Sequence, residues 1–126
     1  MSIEPLGSKR PQMRQLGPYT IHSDPGHAWL EVPFEDVYLF GILFGKSLSN
    51  FSYMSADRKT LYLEEDCDWP KFMRAWKVMV LEASRQLGAR LVKTEVHTND
   101  YSFIRGLEPL HWQTCIDNYR EEVSSE

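Results

Sequence analysis

Ser23-Asp24-Pro25-Gly26-His27-Ala28-Trp29-Leu30-Glu31-Val32 sets a turn signal directly ahead of a strand pattern. Proline fixes φ at the second position of a turn and glycine accepts a positive φ at the next, so Asp24-Pro25-Gly26 reverses the chain. Beyond it, Ala28, Leu30 and Val32 alternate with His27, Trp29 and Glu31, the period of a strand with one face buried. Pro33 ends the run. Residues 18–33 therefore read as two strands about a tight turn.

Working outward, Phe34 to Phe44 is apolar with Glu35 and Asp36 early, where a helix dipole favours acids, and predicts a short helix ending near Gly41 or Gly45. Asn50 to Met54 and Thr60 to Asp66 flank a polar loop and predict a second hairpin. The clearest element is a helix over about 69–87. Trp69, Phe72, Met73, Trp76, Met79, Val80, Ala83 and Leu87 recur at intervals of three and four. Asp68 is its natural N-cap, Pro70 suits its first turn and Gly88 its end. Arg90 to His97 reads as a strand in which Val92, Thr94 and Val96 alternate against Lys93, Glu95 and His97. Ser102 to Leu107 suggests one helical turn, Pro109 a break, and Trp112, Ile116, Tyr119 and Val123 a C-terminal helix. This order predicts an α+β fold: a mostly antiparallel sheet of four to five strands packed on the long 69–87 helix, with short additional helices. Residues 1–17 read as a flexible arm, 18–110 as a single α+β domain, and 111–126 as a C-terminal helix with a frayed tail.

The 126 residues match one domain, with 42% apolar and 25% charged residues in the ordinary range for a soluble globular protein. A formal net charge of −4 supplies no general attraction to nucleic acid or anionic lipid. The longest apolar stretch, Val37 to Phe44, is about a third of a membrane span. Cys67 and Cys115 form no Cys-x-x-Cys pattern, which argues against a cysteine zinc site or a disulfide framework. Met1 to Gly17 is polar, with Lys9, Arg10 and Arg14 and no apolar run after them, so it does not read as a targeting segment and the cytoplasm is the expected compartment. Cys67 lies between Asp66 and Asp68, whose charges disfavour a thiolate, and reads as inert.

If the long helix covers the sheet face carrying Ala28, Leu30, Val32, Leu61, Leu63, Val92 and Val96, alternation leaves His27, Trp29, Glu31, Tyr62, Glu64, Asp66, Glu95 and His97 on the other. The first expectation is a surface that binds a protein partner through His27, Trp29, Glu31, Tyr62, Glu64 and Asp66. An alternative is a metal-dependent hydrolase or nuclease with His27, Glu64, Asp66 and His97 as candidate ligands. A third is nucleic-acid binding through Lys71, Arg74, Lys77 and Arg85 on the long helix, although four scattered cations more often serve solubility. No His-Glu-x-x-His, glycine-rich phosphate loop or nucleophile elbow occurs, so no catalytic residue and no cofactor is assigned. An open sheet edge also leaves room for a homodimer.

Asp24-Pro25-Gly26-His27-Ala28-Trp29-Leu30-Glu31-Val32, Phe51-Ser52-Tyr53, Tyr62-Leu63-Glu64-Glu65-Asp66-Cys67-Asp68, and then His97-Thr98-Asn99-Asp100, Ser102 and Ile104-Arg105 resemble the recurring pattern of a family of small bacteriophage and mobile-element proteins, a domain of unknown function. The likeness spans about residues 18–108. It implies a phage or mobile-element setting and a site of action in the host cytoplasm; by analogy with small phage accessory proteins that bind and block others, the expectation is a protein that binds a host or phage protein, with an inhibitory or anti-defence effect. It implies no chemistry. Residues 70–113 also resemble the C-terminal half of an acetyltransferase domain, but the run Glu64 to Asp68 stands where that fold needs a phosphate-binding loop, and its charges would repel the cofactor.

Overall fold

The computed structural model describes residues 17–39, 48–77 and 92–124. Within them the chain forms β1 (Tyr19–Ser23), β2 (Ala28–Pro33), α1 (Phe34–Leu39), β3 (Tyr53–Met54), β4 (Thr60–Glu64) and a helix α2 over 69–77. β5 (Val92–His97), a 3-10 turn (Phe103–Gly106), β6 (Glu108–Pro109) and α3 (Trp112–Ser124) follow. The fold is α+β, as the pattern predicts. The expected arm and the second half of the long helix, with Arg85 and Gly88, lie outside the described residues.

The sheet differs from the expectation. It has six strands in the order β5-β1-β2-β4-β3-β6 and is mixed, because β5 runs parallel to β1 while the other pairs are antiparallel. The β1–β2 hairpin leaves the outer side of β1 open, and β5 fills it. β6 escapes sequence reading because two residues show no period and Pro109 reads as a breaker. An edge strand tolerates proline because it needs no donor on its outer side.

Nor does one long helix make the core. Leu30, Val32, Met54, Leu61 and Leu63 from the sheet meet Phe34 and Val37 of α1, Phe72, Ala75 and Trp76 of α2, and Cys115 and Ile116 of α3. Fully burying each large apolar side chain contributes roughly 1.5–3 kcal/mol. No helix among the described residues is long and apolar enough to cross a membrane.

Strand β5 departs from simple alternation. Tyr19 pairs with Val92 but Thr20 pairs with Thr94, so one residue of β5 is skipped and the ladder shifts. A one-residue slip exchanges the faces of everything beyond it. Val96 consequently aligns with His22 and is 45% exposed at the sheet edge, not buried as alternation suggests. Glu95 and His97 align instead with Ile21 and Ser23, and Ser23 Oγ lies 2.8 Å from His97 Nδ1.

Asp68 occupies the expected cap: its carbonyl accepts from Phe72 N at 3.1 Å, the first bond of α2. Its buried carboxylate does a second job, accepting from Ser49 N, Ser49 Oγ and Ser52 Oγ, and so ties the 49–52 loop to the helix start. Ser52 Oγ in turn accepts from Glu64 N at 2.9 Å. Ser52→Ala leaves two buried polar groups short of a partner and is expected to lower the unfolding free energy by about 2 kcal/mol. Urea denaturation with an unchanged slope would report this; a loss below about 0.5 kcal/mol would mean that the chain of bonds is not stabilising.

Candidate functional site

The second sheet face is covered, and Asp24 explains how. Its side chain is completely buried. Oδ1 accepts from Gly26 N and His27 N at 3.0 Å and from Arg105 Nη2 at 2.9 Å, while Oδ2 accepts from Ser102 N at 2.9 Å and Arg105 Nε at 2.6 Å. The turn thus wraps its first residue, and the same carboxylate receives the fork of an arginine 81 positions later. Arg105, followed by the backbone donors, holds the Asp24 carboxyl well below the usual carboxylate range despite burial.

Gly26 matters for a reason other than the one its turn suggests. The glycine with positive φ among the described residues is Gly17, not Gly26. A Cβ on Gly26 would instead lie 2.8 Å from Arg105 Nη2. A side chain there would have to displace the guanidinium.

With Arg105 fixed, the 3-10 turn is pressed onto the sheet. Ser102 Oγ caps it by accepting from Ile104 N, and Ile104 packs on Trp29 and Tyr62 with Tyr53 and Leu107 alongside. Phe103 stands edge-on to Tyr62 and His22, at centroid distances of 5.7 and 5.6 Å. Trp29 and Tyr62, expected on an open face, are therefore buried, at 2% and 8% exposure. The correction has a physical cause: alternation along a strand separates two faces but does not say whether a later segment folds over one of them.

Beside this small second core lies a pocket of about 350 Å³. Trp29, Phe51 and Tyr53 give it an aromatic lining, Glu64 and Asp66 a carboxylate lining, and Asn50, His27, Cys67 and Arg105 complete it. Arg105 lies against two rings, with its guanidinium carbon 5.6 Å from the Trp29 centroid and 4.8 Å from that of Tyr101. Trp29 also meets His27 at 5.9 Å and Tyr53 at 6.2 Å. The Trp29 Nε1 is buried without an acceptor among the described residues.

Glu64 ends β4 and folds the following turn about itself: Oε1 accepts from Asp66 N and Cys67 N, both at 2.9 Å. Its side chain is only 10% exposed, and Oε2 faces His27 Nδ1 at 3.8 Å, beyond hydrogen-bond length. Burial and the adjoining Glu64 carboxylate push the Cys67 thiol up, so it stays protonated at neutral pH, in keeping with its inert reading. Burial pushes Cys115 up to about 11.

The structure gathers His27, Trp29, Glu64 and Asp66 at the pocket. It leaves two of the other expected residues aside: Glu31 Oε1 bonds His22 Nε2 at 2.7 Å, and Tyr62 lies beneath Phe103 and Ile104. The proposed metal quartet is divided, since His97 lies beside Ser23 on the other side of the sheet. Among the described residues no group of three or more His, Cys, Asp or Glu side chains is placed to hold a metal ion. Asp24, Asn50, Phe51, Tyr53 and Arg105 are site residues that the reading of the faces missed. The turn motif named Asp24 without its partner, and only the family resemblance touched Phe51, Tyr53 and Arg105.

Two outcomes follow from the Asp24–Arg105 pair. Arg105→Ala strands a buried carboxylate and is expected to cost about 3 kcal/mol, and Gly26→Ala to displace the guanidinium and cost less. Because the folded Asp24 binds its proton more weakly than the unfolded one, the pair stabilises above the unfolded carboxyl's pKa of about 4 and is lost progressively as pH falls below it. Unfolding free energies measured between about pH 6 and pH 3 should fall less steeply in Asp24→Asn than in the parent chain.

Comparisons with protein-family models, with curated proteins and with solved structures return no match to this chain.

Proposed function

We propose that this chain is a binding protein that captures a partner polypeptide, of host or phage origin, in the cytoplasm, through the pocket lined by His27, Trp29, Glu64 and Asp66. The observation that carries the reading is an exposed aromatic pair beside a preformed pocket: Phe51 is 65% exposed and Tyr101, stacked on Arg105, is 78% exposed. Exposed aromatic and arginine side chains around a pocket are the usual anchors of protein recognition.

The same geometry gives catalysis less support. Cys67 holds its proton, Glu31 is engaged by His22, and the metal set lacks His97. Among the described residues phosphate contact through α2 gains less support too, since Lys71 Nζ turns to Asp68 at 3.4 Å and the pocket presents carboxylates.

Phe51→Ala and Tyr101→Ala change exposed side chains and should leave the fold intact. Each is expected to reduce capture of the partner from host or infected lysate about tenfold or more, with an unchanged thermal midpoint. Equal capture by both variants would overturn the assignment of this surface.

A further inference from the structure

We infer that the pocket receives one cationic side chain, a lysine or arginine, presented by the partner polypeptide; this rests on the binding reading above and names what the site recognises. Charge is the first argument. Glu64 and Asp66 both line the pocket, and among the described residues Arg105 is the one lysine or arginine that lines it. Arg105 is already committed, with Nε and Nη2 both bonded to Asp24. The Arg105 and Asp24 charges offset one another, and the two pocket carboxylates remain to be balanced.

A nine-tenths-buried carboxylate supplies the second argument. Glu64 Oε1 is satisfied by two backbone donors, whereas Oε2 has His27 beside it at 3.8 Å, too far for a hydrogen bond. The Cys67 thiol also bonds this carboxylate, and an ammonium or guanidinium group would add a charge-assisted bond to it.

The lining is the third. Trp29, Phe51 and Tyr53 bring ring faces whose quadrupoles attract cations, and Trp29 already holds one guanidinium at 5.6 Å. An alkyl stem would pack on the same rings while its charged end reached the carboxylates. A volume of about 350 Å³ is at the lower end for ligand sites, roughly 300–1,000 Å³, and suits a single extended side chain. An anionic guest would have to face both carboxylates with Arg105 already engaged.

The test titrates the full chain with N-acetyl-arginine methylamide and N-acetyl-lysine methylamide, following the Trp29 indole N–H by NMR. N-acetyl-citrulline methylamide serves as the uncharged isostere and putrescine as a free cation. At least one charged amide is expected to bind saturably with a Kd on the order of 1 mM, and the citrulline amide about fivefold or more weaker. Asp66→Asn, at an exposed position, should weaken the charged amide about threefold, and Glu64→Gln more. Equal binding of the citrulline amide, no saturable shift with either charged amide, or tighter binding of putrescine than of both amides would each overturn the proposal. If these fail while Phe51→Ala still abolishes partner capture, the cation assignment falls and the binding reading stands.

Discussion

A single carboxylate organises this molecule. Asp24 begins the β1–β2 turn, yet its oxygens also hold the backbone at Ser102 and the guanidinium of Arg105. A buried carboxylate without such partners would cost several kcal/mol, so the turn and the 3-10 segment each supply what the other lacks. Every other feature of the second face depends on that exchange. Without it, Ile104 has no reason to sit on Trp29 and Tyr62, and the pocket loses the side formed by Arg105.

The sheet consequently separates two apolar interiors of unequal size. The larger, roofed by α1, α2 and α3, is an ordinary core. The smaller, built from Trp29, Tyr62 and Ile104 with Tyr53 and Leu107 against it, leaves its margin open at the pocket. Glu64 stands at the junction: its backbone N–H bonds Ser52, which bonds the Asp68 cap of α2, while its carboxylate faces the pocket. The site is thereby braced by the main core through two hydrogen bonds.

Local pattern carried much of this into view. The hairpin at Asp24, strand β4, the start of α2 at Asp68, the turn after Ser102 and helix α3 each announce themselves through a turn residue, a cap or a period. What stayed hidden was non-local. The parallel pairing of β5 and its skipped residue depend on which edge was vacant, which no window of sequence contains. The burial of Trp29 depends on the segment around Arg105, which Asp24 holds in place from a distant part of the chain. His27, Glu64 and Asp66 were legible by alternation as members of one face, but the β2–β4 pairing that makes them neighbours was not. His97 was misplaced because its strand skips a residue after Val92, opposite the step from Tyr19 to Thr20. Tyr53 comes from a strand too short to have a period, and Phe51 from the turn before it.

The 81 positions between the two halves of the clamp have a consequence for how the chain is made. A nascent or truncated chain that ends between β4 and residue 105 can form the β1–β2 hairpin and pair it with β4, but it bares the Trp29 and Tyr62 rings on one side. Such an uncovered aromatic patch is what chaperones and proteases recognise. The arginine that closes the face thus marks completeness: a finished molecule hides its second interior, and an unfinished one advertises it.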